Sequence, residues 1–353
     1  MPITAARRLP LLTLAALALE PLTAAPAVAA PAVDAWTDVS TALVDSLKAK
    51  GITTGYPGGC SGVVVNRLTG EVTIKVIGCG LWRSGDQGAT WARIDANTIG
   101  GRDETGWATS ADPADPRRLV SFSLDGPAGW TVDGATWKAF AGLGRNWDYG
   151  SVDWSAAAPQ TIIAARHETT PAGEVYVSTD GGQHWRKLAV LLGGDRGASA
   201  MVGALGGATV IYSHGQGIER STDAGATWQP VAAANPLTRV PVVFGGVCYL
   251  GTADGLLVSR DAGATWQTQG APLKIRLGPF FGADEKQILA AGDDGVFRSR
   301  DGGGSWTRVC GLQTDNKNYP FSTNWFGCYA WDPIHGLVYA SAMGHPVYAL
   351  KIP

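Results

Sequence analysis

The sequence predicts an all-β fold, a seven-bladed β-propeller whose ring is closed by an N-terminal strand in the last blade. Three observations carry that expectation. A nine-residue motif, RSTDAGATW at 220–228, recurs as VSRDAGATW at 258–266, RSGDQGATW at 83–91, VSTDGGQHW at 177–185 and RSRDGGGSW at 298–306. A shorter copy, TVDGATW, stands at 131–137. The tryptophans that close these copies are separated by 38 residues (Trp228 to Trp266) to 48 residues (Trp137 to Trp185). Such a period belongs to repeat architectures. Finally, the chain after Trp306 holds three strand-like segments without a fourth, and a matching segment, AWTDVS at 35–40, lies near the other end.

Each unit has the same internal order. In 237–268, RVPVVFGG and VCYLGTA read as two strands, GLLVSRD as a third, DAGAT as a turn and TWQTQ as a fourth. Apolar alternation, β-branched residues and Gly/Asp punctuation support the assignment. One such sheet cannot bury both of its faces, whereas a ring of sheets can. Six motifs give six blades. WFGCYAWDPIHG, LVYASAMG and PVYALKI supply three strands of a seventh. AWTDVS resembles the fourth strands TWQPVA and SWTRVC, and completes it. Closure of this kind leaves no open edge between the first and last blades.

The bulk composition fits this reading. The chain has 353 residues, 45% hydrophobic and 16% charged, with 48 Gly and 14 Trp, as short strands and tight turns require. A net charge of −2 gives no reason to expect nucleic acid or an anionic membrane surface as a partner. Arg7 and Arg8 precede the apolar run LPLLTLAALALEPL, and Ala27-Val28-Ala29 offers a small-x-small cleavage site. Residues 1–29 are therefore expected to be a signal peptide and 30–353 one propeller, secreted or periplasmic. Membrane insertion, a cofactor and a metal are not expected, and the propeller is expected to be a monomer.

The repeated motif resembles the Asp-box, or BNR repeat, of sialidases, xyloglucan-active hydrolases, sortilin-type receptors and photosystem II assembly factors. The resemblance covers six of the seven expected blades and implies the propeller fold. These families share the repeat and not an activity. In the motif, Asp bonds the backbone just ahead of it, Gly supplies a positive φ, and Trp anchors the turn. Asp86, Asp180, Asp223, Asp261 and Asp301 are thus read as turn-locking residues, since one active site has no use for a copy in nearly every blade. A lone Asp per turn is also too few ligands for calcium. Sialidases carry a Phe/Tyr-Arg-x-Pro motif near the start, which the mature chain lacks. Xyloglucan-active relatives use two propellers with a cleft between them, and this chain has one.

Chemistry is expected at the end opposite the Asp-boxes. That end collects the turns from second to third strands and the loops between blades. His184 and His335 fall on the Asp-box end, and His167, His214 and His345 on the other. Four loops between blades are rich in charge or aromatics: IGGRDETGW (99–107), GLGRNWDYGSVDW (142–154), GGDRGA (193–198) and CGLQTDNKNYPFSTNWFG (310–327). Loops of this kind carry function on a rigid scaffold.

The leading expectation is a glycoside hydrolase acting on an extracellular glycan or polysaccharide. Asp148 and Glu168 form the acid/base pair, with His167 and Tyr149 as further catalytic candidates. Arg102, Asp103, Glu104, Arg145, Arg196 and His214 hold the substrate, the arginines clamping carboxylate or sulfate. Trp107, Trp147 and Trp325 offer flat faces to sugar rings. Two alternatives stay open. A polysaccharide lyase would use His167 or His214 as base, Tyr149 as acid and Arg145 against a uronate carboxylate. A non-catalytic binding or assembly scaffold would use neither. In an exported chain, disulfides Cys60–Cys79 and Cys310–Cys328 are expected, with Cys248 as a small core residue.

Overall fold

Alternation along each strand gives every sheet two apolar faces, and the fold buries both against neighbouring sheets. The computed structural model describes residues 35–167, 173–191, 200–313 and 327–353. It contains seven four-stranded antiparallel sheets arranged as a propeller. Blade one spans 60–93, blade two 109–139, blade three 147–191, blade four 201–232, blade five 242–269 and blade six 277–310. Blade seven takes three strands from 327–351 and its outermost strand from Thr37–Asp38. Thr37 pairs with Ala349 and Asp38 with Tyr348. The expected leader 1–29 lies outside the described residues. Among those residues, no helix is long and apolar enough to cross a membrane.

The core is divided among the blade interfaces. One apolar cluster lies between blades seven and one, around Val72, Ile74 and Tyr339. Others lie between two and three around Phe122 and Ile162, between three and four around Ile163 and Val202, and so on round the ring. The interface between blades one and two, around Leu81, Leu119 and Trp137, also holds a buried charge. Lys75 is fully buried there. Its Nζ lies 2.6 Å from Asp103 Oδ1, 2.9 Å from Ser121 Oγ, 2.9 Å from the Phe122 carbonyl and 2.6 Å from Ser123 Oγ. A buried ammonium is tolerable only with such partners.

The repeated motif is a turn and also a clasp between blades. In blade four, Gly225 N donates to Ser221 Oγ at 2.8 Å and Ser221 Oγ donates to Asp223 Oδ1 at 2.6 Å. Thr227 donates its N–H to Asp223 Oδ1 (2.9 Å) and its hydroxyl to Oδ2 (2.7 Å). These bonds hold the Asp223 carboxyl well below the usual range. The copy at Asp261 does the same, with a pKa of about 2. Three of the tryptophans then reach back to the preceding blade, whereas Trp266 Nε1 donates to Gly263 O within its own turn. Trp91 Nε1 donates to Val39 O, Trp185 Nε1 to Ala141 O and Trp306 Nε1 to Ala271 O, at 3.0, 2.9 and 3.2 Å.

Two features depart from the sequence reading. A helix, Thr41–Ala49, follows the closing strand and buries Leu43, Val44 and Leu47. The expected disulfides are not formed, and all five cysteines are free thiols. Strand alternation explains the second pair. Cys310 packs at the interface of blades six and seven, whereas Cys328 faces blade one from the other side of its sheet. In the first pair, Cys60 turns toward Ser40 and Val347, while Cys79 Sγ donates to the Thr53 carbonyl at 3.9 Å. Cys248 is buried between blades four and five.

Candidate functional site

The loop leading into blade two crosses the end opposite the Asp-boxes. Its Asp103 is tied down on blade one by the buried pair with Lys75. Gly106 lies so close to blade seven that a Cβ there would stand 2.6 Å from the Gly327 carbonyl. Trp107 packs against the cluster of Tyr149, Ala165 and Met201 on one side and against the cluster of blades six and seven on the other. The central channel is therefore roofed by one tryptophan. The sequence offers Trp107 as a platform for sugars, and in the fold it is half-buried and packed across the channel.

Beside this roof, four of the candidate residues come together. His167 Nδ1 is hydrogen bonded to Asp148 Oδ1 at 2.5 Å. The Asp148 backbone carbonyl accepts the Thr105 hydroxyl at 2.9 Å, which locks the inner strand of blade three to the crossing loop. The His167 backbone N–H donates to Asn146 O at 2.9 Å. Glu104 stands close enough to feel both His167 and Asp148. Burial raises its pKa, Asp148 adds to the rise, and His167 and Arg102 oppose it. Arg102 Nε is 3.6 Å from Glu104 Oε2, and its Nη1 also pairs with Asp125. The side chains of Arg102, Glu104, Asp148 and His167 keep 17, 12, 19 and 20% exposure. They are sheltered but reachable.

The other candidates lie elsewhere or serve other ends. Asp103 is buried against Lys75. Tyr149 is fully buried, and its hydroxyl accepts the Val202 N–H at 2.8 Å. Burial raises its pKa above the ordinary phenol value. His214 is buried in blade four, with Nδ1 accepting the Gln216 N–H at 3.1 Å and Nε2 3.3 Å from Glu219. Trp147 is buried between blades two and three. Arg145 is exposed on the loop into blade three and forms no ion pair among the described residues. Glu168, Arg196 and Trp325 lie outside the described residues.

Sequence reasoning brought out Arg102, Glu104, Asp148 and His167 but missed Lys75, the residue that ties down the loop carrying Arg102 and Glu104. A lysine in the apolar strand VTIKV was the signal for it.

No family model matches the chain, and no curated protein matches it. Among solved structures, the chain is similar to the GH74 enzyme of Niastella koreensis, at 16% identity over 84% of this chain and 53% of that one, with a TM-score of 0.48. It is similar to an ancestral GH74 enzyme at 15% identity over 84% of this chain and 45% of that one, TM-score 0.46. YCF48 from Cyanidioschyzon merolae is 12% identical over 84% of this chain and 97% of its own, TM-score 0.44. The chain thus spans about half the length of the two GH74 enzymes. At these identities the likeness concerns the fold.

Proposed function

We propose that this chain is an exported glycoside hydrolase whose site is Glu104, Asp148, His167 and Arg102. The observation that carries the reading is a carboxyl group with raised proton affinity, Glu104, standing beside a second carboxylate held by a histidine. Hydrolysis of a glycosidic bond needs that division of labour. Glu104 keeps its proton to higher pH and gives it to the departing oxygen as the C–O bond breaks. Asp148 and His167 take the proton of the incoming water as its oxygen bonds to carbon. Arg102 lies beside Glu104 and favours a substrate with an anionic or hydroxyl-rich group there. Glu168, expected as partner to Asp148, lies outside the described residues, and Glu104 is the carboxyl group seen near it.

The lyase reading draws less support. Its expected acid, Tyr149, is sealed from substrate, and His214 is buried in a blade. The purified protein should be screened against acidic and neutral polysaccharides. Release of reducing ends supports hydrolysis, and new absorbance from an unsaturated uronate would point to a lyase. Binding without product, or neither across a broad panel, would move the assignment to a scaffold.

A further inference from the structure

Beneath the Trp107 roof, the central channel holds a cavity of about 200 Å³. Its wall is largely apolar and includes five aromatic residues, Trp107, Phe280, Phe281, Tyr329 and Trp331, contributed by blades two, six and seven. Arg67 closes the Asp-box end. It belongs to the turn between the first two strands of blade one, yet it reaches across the channel. Its Nε donates to Pro113 O at 2.7 Å and its Nη1 to Gly282 O at 2.9 Å, on blades two and six. Its guanidinium also lies 5.0 Å from the Phe244 ring centroid of blade five.

Both of those acceptors are neutral carbonyls. Among the described residues no carboxylate lies within ion-pair distance of Arg67 and its Nη2 makes no hydrogen bond, although Asp112 is near enough to favour its charge against the cost of burial. Asp112, the acidic residue in the cavity wall, is already engaged by Arg118 at 2.9 Å and by the Ala114 N–H at 2.8 Å. An apolar cavity of about 150 Å³ is large enough to hold benzene. This one is larger and carries a half-buried cation at one end, with a nitrogen to spare. Guanidinium groups favour planar carboxylates.

We propose that the channel is a second binding site, which takes a small aromatic carboxylate with its ring among Phe280, Tyr329 and Trp331 and its carboxylate on Arg67. The site lies between Trp107 and Arg67, and the proposal does not depend on the glycan assignment.

Titration with naphthalene-2-carboxylate, followed by tryptophan fluorescence and calorimetry, tests the proposal. The intact protein should bind one equivalent, more tightly than it binds neutral 2-methylnaphthalene. Arg67→Met should weaken the acid at least tenfold and leave the neutral ligand unchanged. Ser110→Phe, which fills the cavity wall without touching the bonds of Arg67, should abolish both. Asp148→Asn should alter neither. Absence of one-to-one binding of the acid at millimolar concentration would overturn the proposal. So would undiminished acid binding in folded Arg67→Met. Should Arg67→Met lose its cooperative thermal transition, undiminished acid binding in Ser110→Phe decides against the site.

Discussion

Lys75 shows how a single side chain can place a site it never touches. It is buried between blades one and two, and its bond to Asp103 holds the loop that carries Arg102, Glu104 and Trp107. Removing one partner of such a pair strands the other charge, at a cost of about 3–5 kcal/mol. Lys75→Met should therefore lower the urea midpoint sharply, and adding Asp103→Asn should restore part of the loss. A Lys75→Met protein as stable as wild type would show that the pair is dispensable. In the proposed reaction, Glu104 would act on the substrate itself. Burial raises its pKa, so it holds its proton at pH values where an ordinary glutamate has lost it. As a general acid it should lose activity as pH rises through that raised value. Glu104→Gln should cut kcat by about 10²–10⁴ and remove this alkaline limb from the pH–rate profile.

At the scale of the element, the repeated turn separates structure from chemistry. Asp223 is spent on Ser221 and Thr227, and its lowered pKa expresses those bonds. A carboxyl with a depressed pKa stabilises the fold above its unfolded value, and that support fades as pH falls toward the folded one. Asp223→Asn should lower Tm at neutral pH, spare the reaction, and differ little from wild type in strong acid. Scanning calorimetry at two pH values checks the first and the last, and reducing-end release checks the second. The six turns were legible because each places Asp, Gly and Trp in the same order. The helix Thr41–Ala49 was not, since it is short and its apolar residues, Leu43, Val44 and Leu47, stand between two β segments. The disulfides failed for a related reason. Cys310 and Cys328 are close in sequence, but strand alternation sends them to opposite faces of blade seven. Which loops gather at one end can be read from strand order. Which side chain of Arg102, Asp103 and Glu104 turns inward depends on Lys75, from another blade, and no local pattern shows it.

At the scale of the molecule, the ring is held by a two-residue strand, Thr37–Asp38, laid on the last blade. Val39 adds a backbone bond to Val347 at 2.9 Å and receives Trp91 Nε1 at 3.0 Å, so blades seven and one are clasped at the same point. Deleting 35–40 should expose the outer edge of Tyr348–Lys351 and abolish the single cooperative transition. A deletion protein with the wild-type melting curve would contradict that role. Closure also fixes the positions of the loops around the roofed channel, which is what makes one end of the ring a plausible surface for chemistry. The most direct test of the functional account is reducing-end release from the polysaccharide panel by the wild type and by Asp148→Asn. The account predicts product from the wild type on at least one glycan, and turnover reduced by several orders of magnitude in an Asp148→Asn protein with unchanged Tm. Equal turnover by the two proteins, or no product and no binding from either, would contradict it.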